Sequence, residues 1–467
     1  MLFSSITFLY YFLPFVLILY FVAPTRLKNA ILLVSSIIFY AWGEPMYCIL
    51  MMGIVVLGYF AAIKIEGTRG TYKARIWMLS SVVIDLSCLA FFKYSNFFIE
   101  NINRVTLFSI PLLKITLPLG ISFYTFQILS YVVDVYRDEV PANRSLINLM
   151  TYAMLFPQLI AGPIVRYIDV DKELTSRKHE ITVIYSGIRR FILGLAKKVL
   201  IANTMGELIN QFQASKDVSI LFYWIFGIAY TLQIYFDFSG YSDMAIGLGR
   251  IFGFQFMENF NYPYISKSIT EFWRRWHISL STWFRDYVYI PLGGNRVSIR
   301  RQVFNILVVW LLTGLWHGAA WNFILWGLFY GVLLLLEKFI LRNIINKIPS
   351  IIAHAYVLLA VIIGFVLFHA ESLQQALNDL GSMFGFHGLP FGSYETMYYL
   401  KSYGITLFIG IIGSTPYMNK IYERIMNSKS GQKVLVVLEP IMLAMMFLVI
   451  TGYLVDGSFN PFLYFRF

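Results

Sequence analysis

The chain has 467 residues, of which 58% are hydrophobic, 18% aromatic and only 13% charged. This composition excludes a soluble globular domain and predicts an all-α polytopic membrane protein. The net charge of +12 would suggest a nucleic-acid partner in a soluble protein. Here basic cytoplasmic loops and anionic membrane lipids explain it better, so no nucleic-acid partner is expected. Cys48 and Cys88 lie in apolar runs and indicate neither a disulfide framework nor a metal site.

The N-terminal segment is apolar from its first residues. It lacks a basic start and a small-residue cleavage site, so we predict a retained membrane span instead of a signal peptide. Arg26 and Lys28 follow it directly. Because basic residues favour the cytoplasmic side, the N-terminus is predicted to lie outside and residues 25–28 inside.

Further candidate spans follow along the whole chain, and several are shorter than the ~20 residues that a membrane helix needs. Short spans predict tilted, broken or re-entrant helices around a cavity. One of them contains PQLIAGPIV (157–165) and could re-enter instead of crossing. With no internal repeat or linker, we expect a single membrane domain over 1–467. The spans cover roughly 29–42, 46–63, 74–92, 117–136, 148–165, 182–202, 217–238, 302–316, 319–337, 351–369, 403–415 and 437–454.

Several polar residues interrupt this apolar sequence. Gln233 and Asp237 are four residues apart and therefore share one helix face. Asp243 follows what we interpret as a Ser-Gly break at 239–240, and Asp134 lies in a separate apolar run. Acids in membrane helices usually face the protein interior or an aqueous path. We expect these residues to support a cavity, and pinning of helices by hydrogen bonds is the alternative.

A hydrophilic segment at 259–301 interleaves arginines with tryptophans. Such arginines could bind the phosphates of coenzyme A from the cytoplasm through charge-assisted hydrogen bonds. Ordinary anchoring of a cytoplasmic loop is the alternative for each arginine. The residues that could serve a donor are Trp273, Arg274, Arg275, Trp276 and Arg285.

Two other hydrophilic segments have different predicted roles. Within 370–402, Leu373, Ala376, Leu377 and Leu380 lie on one helical face. This pattern favours an interfacial amphipathic helix or a surface for a partner protein. Residues 416–436 are basic and are expected to be cytoplasmic.

Two histidines stand out as candidates for chemistry. His277 lies among arginines and tryptophans, and His317 lies in an uncharged run, Val303–Leu336. This run is too long for one span and too short for two, so a break is predicted near Gly314–Trp321. We therefore expect His317 at the floor of a cavity, where a neutral imidazole can act as a general base. The alternative is a histidine bonded to a helix carbonyl in a packed bundle.

No nucleotide-binding, zinc-protease or serine-hydrolase motif accompanies these histidines, and no bound metal or cofactor is expected. Several sequence runs in this order resemble a membrane-bound O-acyltransferase. Within that family the chain resembles the membrane subunits of bacterial polysaccharide O-acetylation systems of the alginate and peptidoglycan type. The runs are FSSITFLYYFLP (3–14), Asn29–Gly43, FKYSNFF (92–98), 117–137, 156–167, 233–254, 272–294, GLWHGAAWNFILWG (314–327) and PFLYFRF (461–467).

The resemblance implies a ring of about a dozen tilted or broken helices around a thinned centre, with a funnel from each side. It implies that His317 is the catalytic histidine and that His277 is the second characteristic one. His369 stands where relatives often have arginine, which bears on the partner-facing surface. The residues expected to line or support the cavity are Trp316, Trp321, Asn322, Gln233, Asp237 and Asp243.

The function that follows is O-acyl transfer at the bacterial inner membrane. The expected substrate is acetyl-coenzyme A or another acyl thioester, and the expected final acceptor is an extracytoplasmic polysaccharide whose identity the sequence does not give. An extracytoplasmic esterase-like (SGNH) acetyltransferase is the expected partner, alongside membrane lipids. A transporter or flippase and a scaffold for glycan synthesis are the alternatives, and consumption of a thioester would distinguish the enzyme from both.

Overall fold

The structure, a computed structural model, describes residues 1–106, 108–160, 162–457 and 462. Regular elements in this part of the chain are all helical. Five single helices are long and apolar enough to cross a membrane, as is the helical stretch Trp321–Ile345, and Thr7–Val22 forms a shorter apolar stretch. The prediction of an all-α membrane protein is confirmed. The five are α3 (Pro45–Gly67), α4 (Tyr72–Thr106), α11 (Ile220–Ile251), α17 (Ser350–His369) and α21 (Lys429–Asp456).

The described residues group into two compact units, and the first comprises Met1–Phe191 with Ser242–Glu258. Here α3 packs against α4 and α5, and α2 packs against α6. Gly58 permits the contact between α3 and α5, because a Cβ there would lie 2.5 Å from Ile128 Cγ2. The other helices of this unit are α1 (Leu13–Val22), α2 (Lys28–Ala41), α5 (Ile121–Tyr136), α6 (Leu146–Met154), α7 (Phe156–Leu159), α8 (Tyr167–Thr175) and most of α9 (Ile181–Ala196).

The second unit comprises Ile192–Tyr241 and the chain from Asn259 onward. Its centre is the helix pair α14 and α15, which α17 and α12 contact. Gly314 and Gly327 allow the pair to approach closely, since Cβ atoms there would lie 2.4 Å and 2.3 Å from carbonyl oxygens of the facing helix. Besides α17, α21 and most of α11, the helices of this unit are α10 (Asn203–Ala214), α12 (Ile269–Arg275), α13 (Ile278–Phe284), α14 (Ile299–His317), α15 (Trp321–Leu336), α16 (Arg342–Ile345), α18 (Leu373–Met383), α19 (Tyr394–Gly413) and α20 (Tyr417–Met426).

The predicted break in the long uncharged run is confirmed. Helix α14 ends at His317 and α15 begins at Trp321, with non-helical backbone between them. The predicted amphipathic helix in 370–402 is also present, as α18. The prediction of one domain over 1–467 stays a prediction.

The predicted span at 148–165 is not one continuous helix. Helix α6 ends at Met154, and the four-residue α7 follows with Pro157 in its first turn. Proline fits there because it lacks the N–H that a helix interior requires. This outcome fits the re-entrant alternative for PQLIAGPIV better than a simple crossing.

The interpretation of Ser239–Gly240 as a break is wrong. Helix α11 runs without interruption from Ile220 to Ile251. Gly240 instead provides a close contact, because a Cβ there would lie 2.7 Å from the carbonyl oxygen of Gly194. Small residues serve this purpose commonly in membrane helix packing.

Candidate active site

The short helices α12 and α13 hold His277 at their junction. Ser268 caps α12 by accepting a hydrogen bond from the Glu271 N–H, 3.0 Å away. The buried carboxylate of Glu337 accepts from the backbone N–H groups of Ile269 and Thr270 at 2.5 Å and 2.8 Å. A carboxylate on the free N–H groups of a helix start is favourable in charge and in hydrogen bonding. Glu337 thus fixes the helix that leads to His277.

Neighbouring residues determine which ring nitrogen of His277 carries the proton. Ser279 donates from its backbone N–H, at 3.2 Å, and from its hydroxyl, at 2.8 Å, to Asn259 Oδ1. These donors identify that atom of Asn259 as the amide oxygen. His277 Nδ1, 3.1 Å from the same oxygen, must therefore carry the proton and donate it. In the neutral ring, Nε2 keeps its lone pair and can accept a proton or a hydrogen bond.

The His277 ring is buried, with 1% of its surface exposed, and lies outside the six candidate spans. Burial lowers the pKa of His277 well below its usual value, and the nearby His317 lowers it further. The ring is therefore neutral at neutral pH. Nε2 has no hydrogen-bond partner among the described residues, which leaves this acceptor available.

His317 lies at the end of α14 inside an aromatic cluster. Its ring centroid is 5.0 Å from Trp316, 5.0 Å from Trp326 and 5.4 Å from Phe368. Trp316 also contacts His277, at 5.7 Å between ring centroids. One indole therefore contacts both histidines. Long-range packing brings these two residues together, although forty positions separate them in the sequence.

A cavity of about 990 Å³ lies in the second unit, and His277 is among its lining residues. Its size is that of a pocket for a large cofactor or substrate. Ile306, Trp310 and Thr313 line it along one face of α14, and His317 is four residues, about one turn, beyond Thr313. Its basic lining residues are Arg274, Arg285, Lys338 and Arg342.

Only some of the residues predicted to bind a donor line this cavity. Trp273, Arg274 and Arg285 line the cavity, whereas Arg275 and Trp276 do not. Arg275 forms an ion pair with Glu271 on its own helix. The Trp276 ring is buried and stacks on the ring of Phe272, with 5.6 Å between their centroids.

The other residues expected at the cavity have distinct surroundings. Asn322 donates to the carbonyl oxygen of Ala370 at 2.8 Å and so links the start of α15 to the end of α17. Trp321 is half-exposed. Gln233 is buried on α11 one turn before Asp237, which confirms their shared helix.

The acids of α11 have basic partners that the sequence analysis did not identify. Asp237 forms an ion pair with Lys198, and both side chains are almost completely buried. Asp243 forms an ion pair with Arg190, at 2.8 Å, which also binds Glu258. A buried acid in a membrane helix predicts that a cation lies nearby. Nothing in the sequence shows which cation it is.

Four further site residues were missed in the sequence. Asn259 has no motif that marks it, and Lys338 and Arg342 resemble ordinary anchors after a span. Trp326 lies one turn inside α15, on the face that meets His317. Among the described residues its indole N–H has no hydrogen-bond partner. Aromatic N–H groups of this kind can donate to an oxyanion.

Together these features define a polytopic helical membrane protein with a buried histidine pair beside a basic cavity. Residues 137–374 match the membrane-bound O-acyltransferase family. The chain belongs to this family and is an O-acyltransferase. The predicted family and its all-α membrane fold are therefore confirmed.

Several relatives indicate the range of reactions in this family. The chain is 45% identical to the probable alginate O-acetylase of Pseudomonas aeruginosa, over 83% of this chain and 75% of the relative. It is 35% identical to the peptidoglycan O-acetyltransferase of Helicobacter pylori, over 83% and 81% respectively. It is 32% identical to the teichoic acid D-alanyltransferase of Bacillus subtilis, over 47% of this chain and 59% of the relative.

Proposed function

We propose that this enzyme moves acetyl groups from a cytoplasmic thioester, acetyl-coenzyme A, across the bacterial inner membrane for O-acetylation of an extracytoplasmic polysaccharide. The names of the alginate and peptidoglycan relatives support the acceptor class. The similarity to the D-alanyltransferase covers less of the chain, so alanylation of teichoic acid is the less favoured reaction. The alginate relatives cover more of this chain at higher identity, which favours acetyl as the transferred group.

The observation that carries the proposal is the buried histidine pair beside a basic cavity. His277 lines the cavity, and Trp316 contacts both His277 and His317. We assign His317 the role of general base and His277 a role in positioning the thioester. An acceptor hydroxyl loses its proton to His317 as its oxygen attacks the carbonyl carbon of the thioester. The C–S bond then breaks, and the thiol leaves with the proton that His317 returns.

The developing oxyanion needs hydrogen-bond donors where its charge forms. The rings of Trp316 and Trp326 flank His317. Their indole N–H groups are the donors that we assign to the oxyanion. Both rings are buried, so these donors lie where water does not compete for the oxyanion.

The donor fits the basic cavity through its phosphates. Arg274, Arg285, Lys338 and Arg342 are the cations that line it, and coenzyme A carries several phosphate charges. Arginine binds phosphate through two parallel N–H groups, whereas lysine acts as a point charge. No bound cofactor is required, because the thioester is a substrate.

The sidedness of the cavity can be tested with a single cysteine. Ser281 lines the cavity, so a Ser281→Cys variant in a chain with Cys48 and Cys88 changed to serine places one thiol there. We expect labelling only after the cytoplasmic face is opened to the reagent. Labelling from outside intact cells would contradict a cytoplasmic donor.

A relay through an extracytoplasmic esterase-like partner completes the proposal. The acyl group would pass to a hydroxyl of that partner, and the partner would transfer it to the polysaccharide. Helix α18 is the candidate docking surface, since Leu373 and Leu377 are 44% and 56% exposed on its apolar face. An exposed apolar stripe beside polar sequence suits a partner protein.

Vesicles that contain the purified protein, loaded with labelled acetyl-coenzyme A, test the reaction and the relay separately. We expect loss of the thioester inside and, when the partner is added outside, label on the glycan. Full transfer to glycan without any partner would refute the relay alone. An intact thioester in the presence of partner and glycan would refute the acetyl transfer itself.

A further inference from the structure

A group of basic side chains lies in the first unit. Lys28 stands at the start of α2, and Arg177 and His179 lie between α8 and α9. Lys28 Nζ is 4.7 Å from the centroid of the Tyr20 ring, and Arg177 Cζ is 5.8 Å from it. The tertiary fold therefore gathers three basic groups around one tyrosine. We call Lys28, Arg177 and His179 the basic triad.

Hydrogen bonds hold two members of the basic triad in place. The Tyr20 hydroxyl donates to the carbonyl oxygen of Phe252 at 2.7 Å. Having donated its proton, it accepts from His179 Nε2, which is 3.0 Å away. Arg177 donates through Nη2 to Asn29 Oδ1. The Asn29 amide is itself fixed, because its Nδ2 donates to the carbonyl oxygen of Leu174 at 2.8 Å.

Carboxylates do not neutralise the basic triad. Among the described residues, no ion pair to an aspartate or glutamate involves Lys28, Arg177 or His179. Buried Arg177 Nη1 also has no hydrogen-bond partner in the described part of the chain. Burial lowers the pKa of His179, and the charges of Lys28 and Arg177 lower it further. The charges of Lys28 and Arg177 repel one another, and a bound anion would relieve this repulsion.

The basic triad lies beside a surface that suits lipid. Phe21 and Val22, at the end of α1, are 43% and 81% exposed. Their exposure at the end of an apolar helix is typical of the zone where headgroups meet hydrocarbon. Arg26 and Lys28 also place this end on the cytoplasmic side by the positive-inside rule, where anionic lipids attract basic segments.

We propose that the basic triad binds one phosphate group, presented by the headgroup of an anionic phospholipid. Lys28 Nζ supplies the charged donor, the guanidinium of Arg177 adds a positive charge on the same tyrosine, and Phe21 and Val22 contact the acyl chains. A free phosphate ion shares this chemistry and would occupy the same donors. The site is separate from the acyl-transfer chemistry and does not depend on it.

Native mass spectrometry of the detergent-solubilised protein tests the site. We expect one phosphatidylglycerol to stay bound where phosphatidylcholine does not. Arg177→Gln and Lys28→Gln should each weaken this binding roughly tenfold, because each removes one positive charge that attracts the phosphate. Lys178→Gln is the matched control, since this neighbouring lysine is exposed and lies outside the basic triad.

Two further measurements separate folding and the source of the phosphate. Arg177→Lys keeps the charge and should restore much of the binding, which excludes general unfolding as the cause of the loss. Inorganic phosphate is the probe for a free ion. If it raises the melting temperature of the wild type but not that of Arg177→Gln, and phosphatidylglycerol is not retained, the site binds free phosphate and not a lipid. Equal phosphatidylglycerol binding by wild type, Arg177→Gln and Lys28→Gln would overturn the proposal.

Discussion

The two histidines of the second unit are held in different ways. His277 donates to Asn259, which Ser279 holds in turn. His317 lies among Trp316, Trp326 and Phe368 at the point where α14 ends. Hydrogen bonds thus determine which nitrogen of His277 is protonated, whereas aromatic packing and the end of α14 position the ring of His317. The difference teaches that two histidines in contact with the same tryptophan can have separate roles, and substitutions can distinguish those roles.

The largest effect is expected from His317→Ala. Loss of a general base should reduce the rate of acetyl transfer by roughly 10²–10⁴-fold. His277→Ala should mainly raise the KM for acetyl-coenzyme A, because His277 lines the cavity that we propose for the donor. Steady-state kinetics of the purified variants provide the measurement.

His387→Ala is the control for both substitutions. His387 contacts Ser382 beside α18 and lies outside the cavity and the aromatic cluster, so its removal should leave donor turnover unchanged. If His277→Ala lowered kcat as much as His317→Ala with an unchanged KM, the division of roles would be wrong.

An intermediate effect is expected from Asn259→Ala. This change removes the acceptor that fixes the proton on His277 Nδ1 and that also receives two hydrogen bonds from Ser279. Loss of such a bond costs about 1–3 kcal/mol, which corresponds to roughly 5- to 150-fold in kcat/KM if the bound tautomer is required. Asn259→Asp retains the acceptor and should recover activity at high pH.

The pH profile of Asn259→Asp sharpens this test. The wild-type ring stays neutral because its pKa is well below the usual value. A carboxylate beside Nδ1 would raise that pKa, so the ring would become protonated, and Nε2 would stop accepting, as the pH falls through the new value. Activity of Asn259→Asp should therefore fall at a higher pH than wild-type activity does. Identical acid limbs would contradict a required lone pair on Nε2.

The smallest effect is expected at the rim of the cavity. Lys338→Gln or Arg342→Gln should raise the KM for acetyl-coenzyme A by about 1.4- to fivefold each, because partly exposed ion contacts contribute about 0.2–1 kcal/mol. Lys347→Gln is the matched control, since Lys347 is exposed nearby but does not line the cavity. A donor without the 3′-phosphate should lessen the effect. No change in KM in the double variant Lys338→Gln/Arg342→Gln would remove these residues from the donor site.

The sequence was most informative where length and charge limit the backbone. The uncharged run around His317 could not form one span or two, and the structure ends α14 at His317 as that argument requires. Pro157 similarly marked a stretch where a continuous helix was doubtful. The presence of a glycine was a less reliable sign of a helix break. Gly240 lies inside the continuous helix α11 and allows a close contact with Gly194.

Partners that meet only through tertiary packing could not be predicted. Two adjacent lysines begin the π-helical turn Lys197–Ala202, and only Lys198 is buried against Asp237. A π-turn changes the helical period, so the usual spacing rules cannot choose between them. Asn259 likewise acquires its role only when the segment before α12 folds back onto His277.

The backbone of His277 limits which residues can replace it. Its φ of +45° lies in the left-handed region, which histidine, asparagine and glycine tolerate and β-branched residues avoid. Asparagine would therefore fit at this position without strain. His277→Asn is accordingly the gentlest way to remove the imidazole, whereas valine or isoleucine would disturb the chain path itself. Variation at this position is thus restricted by local geometry as well as by chemistry.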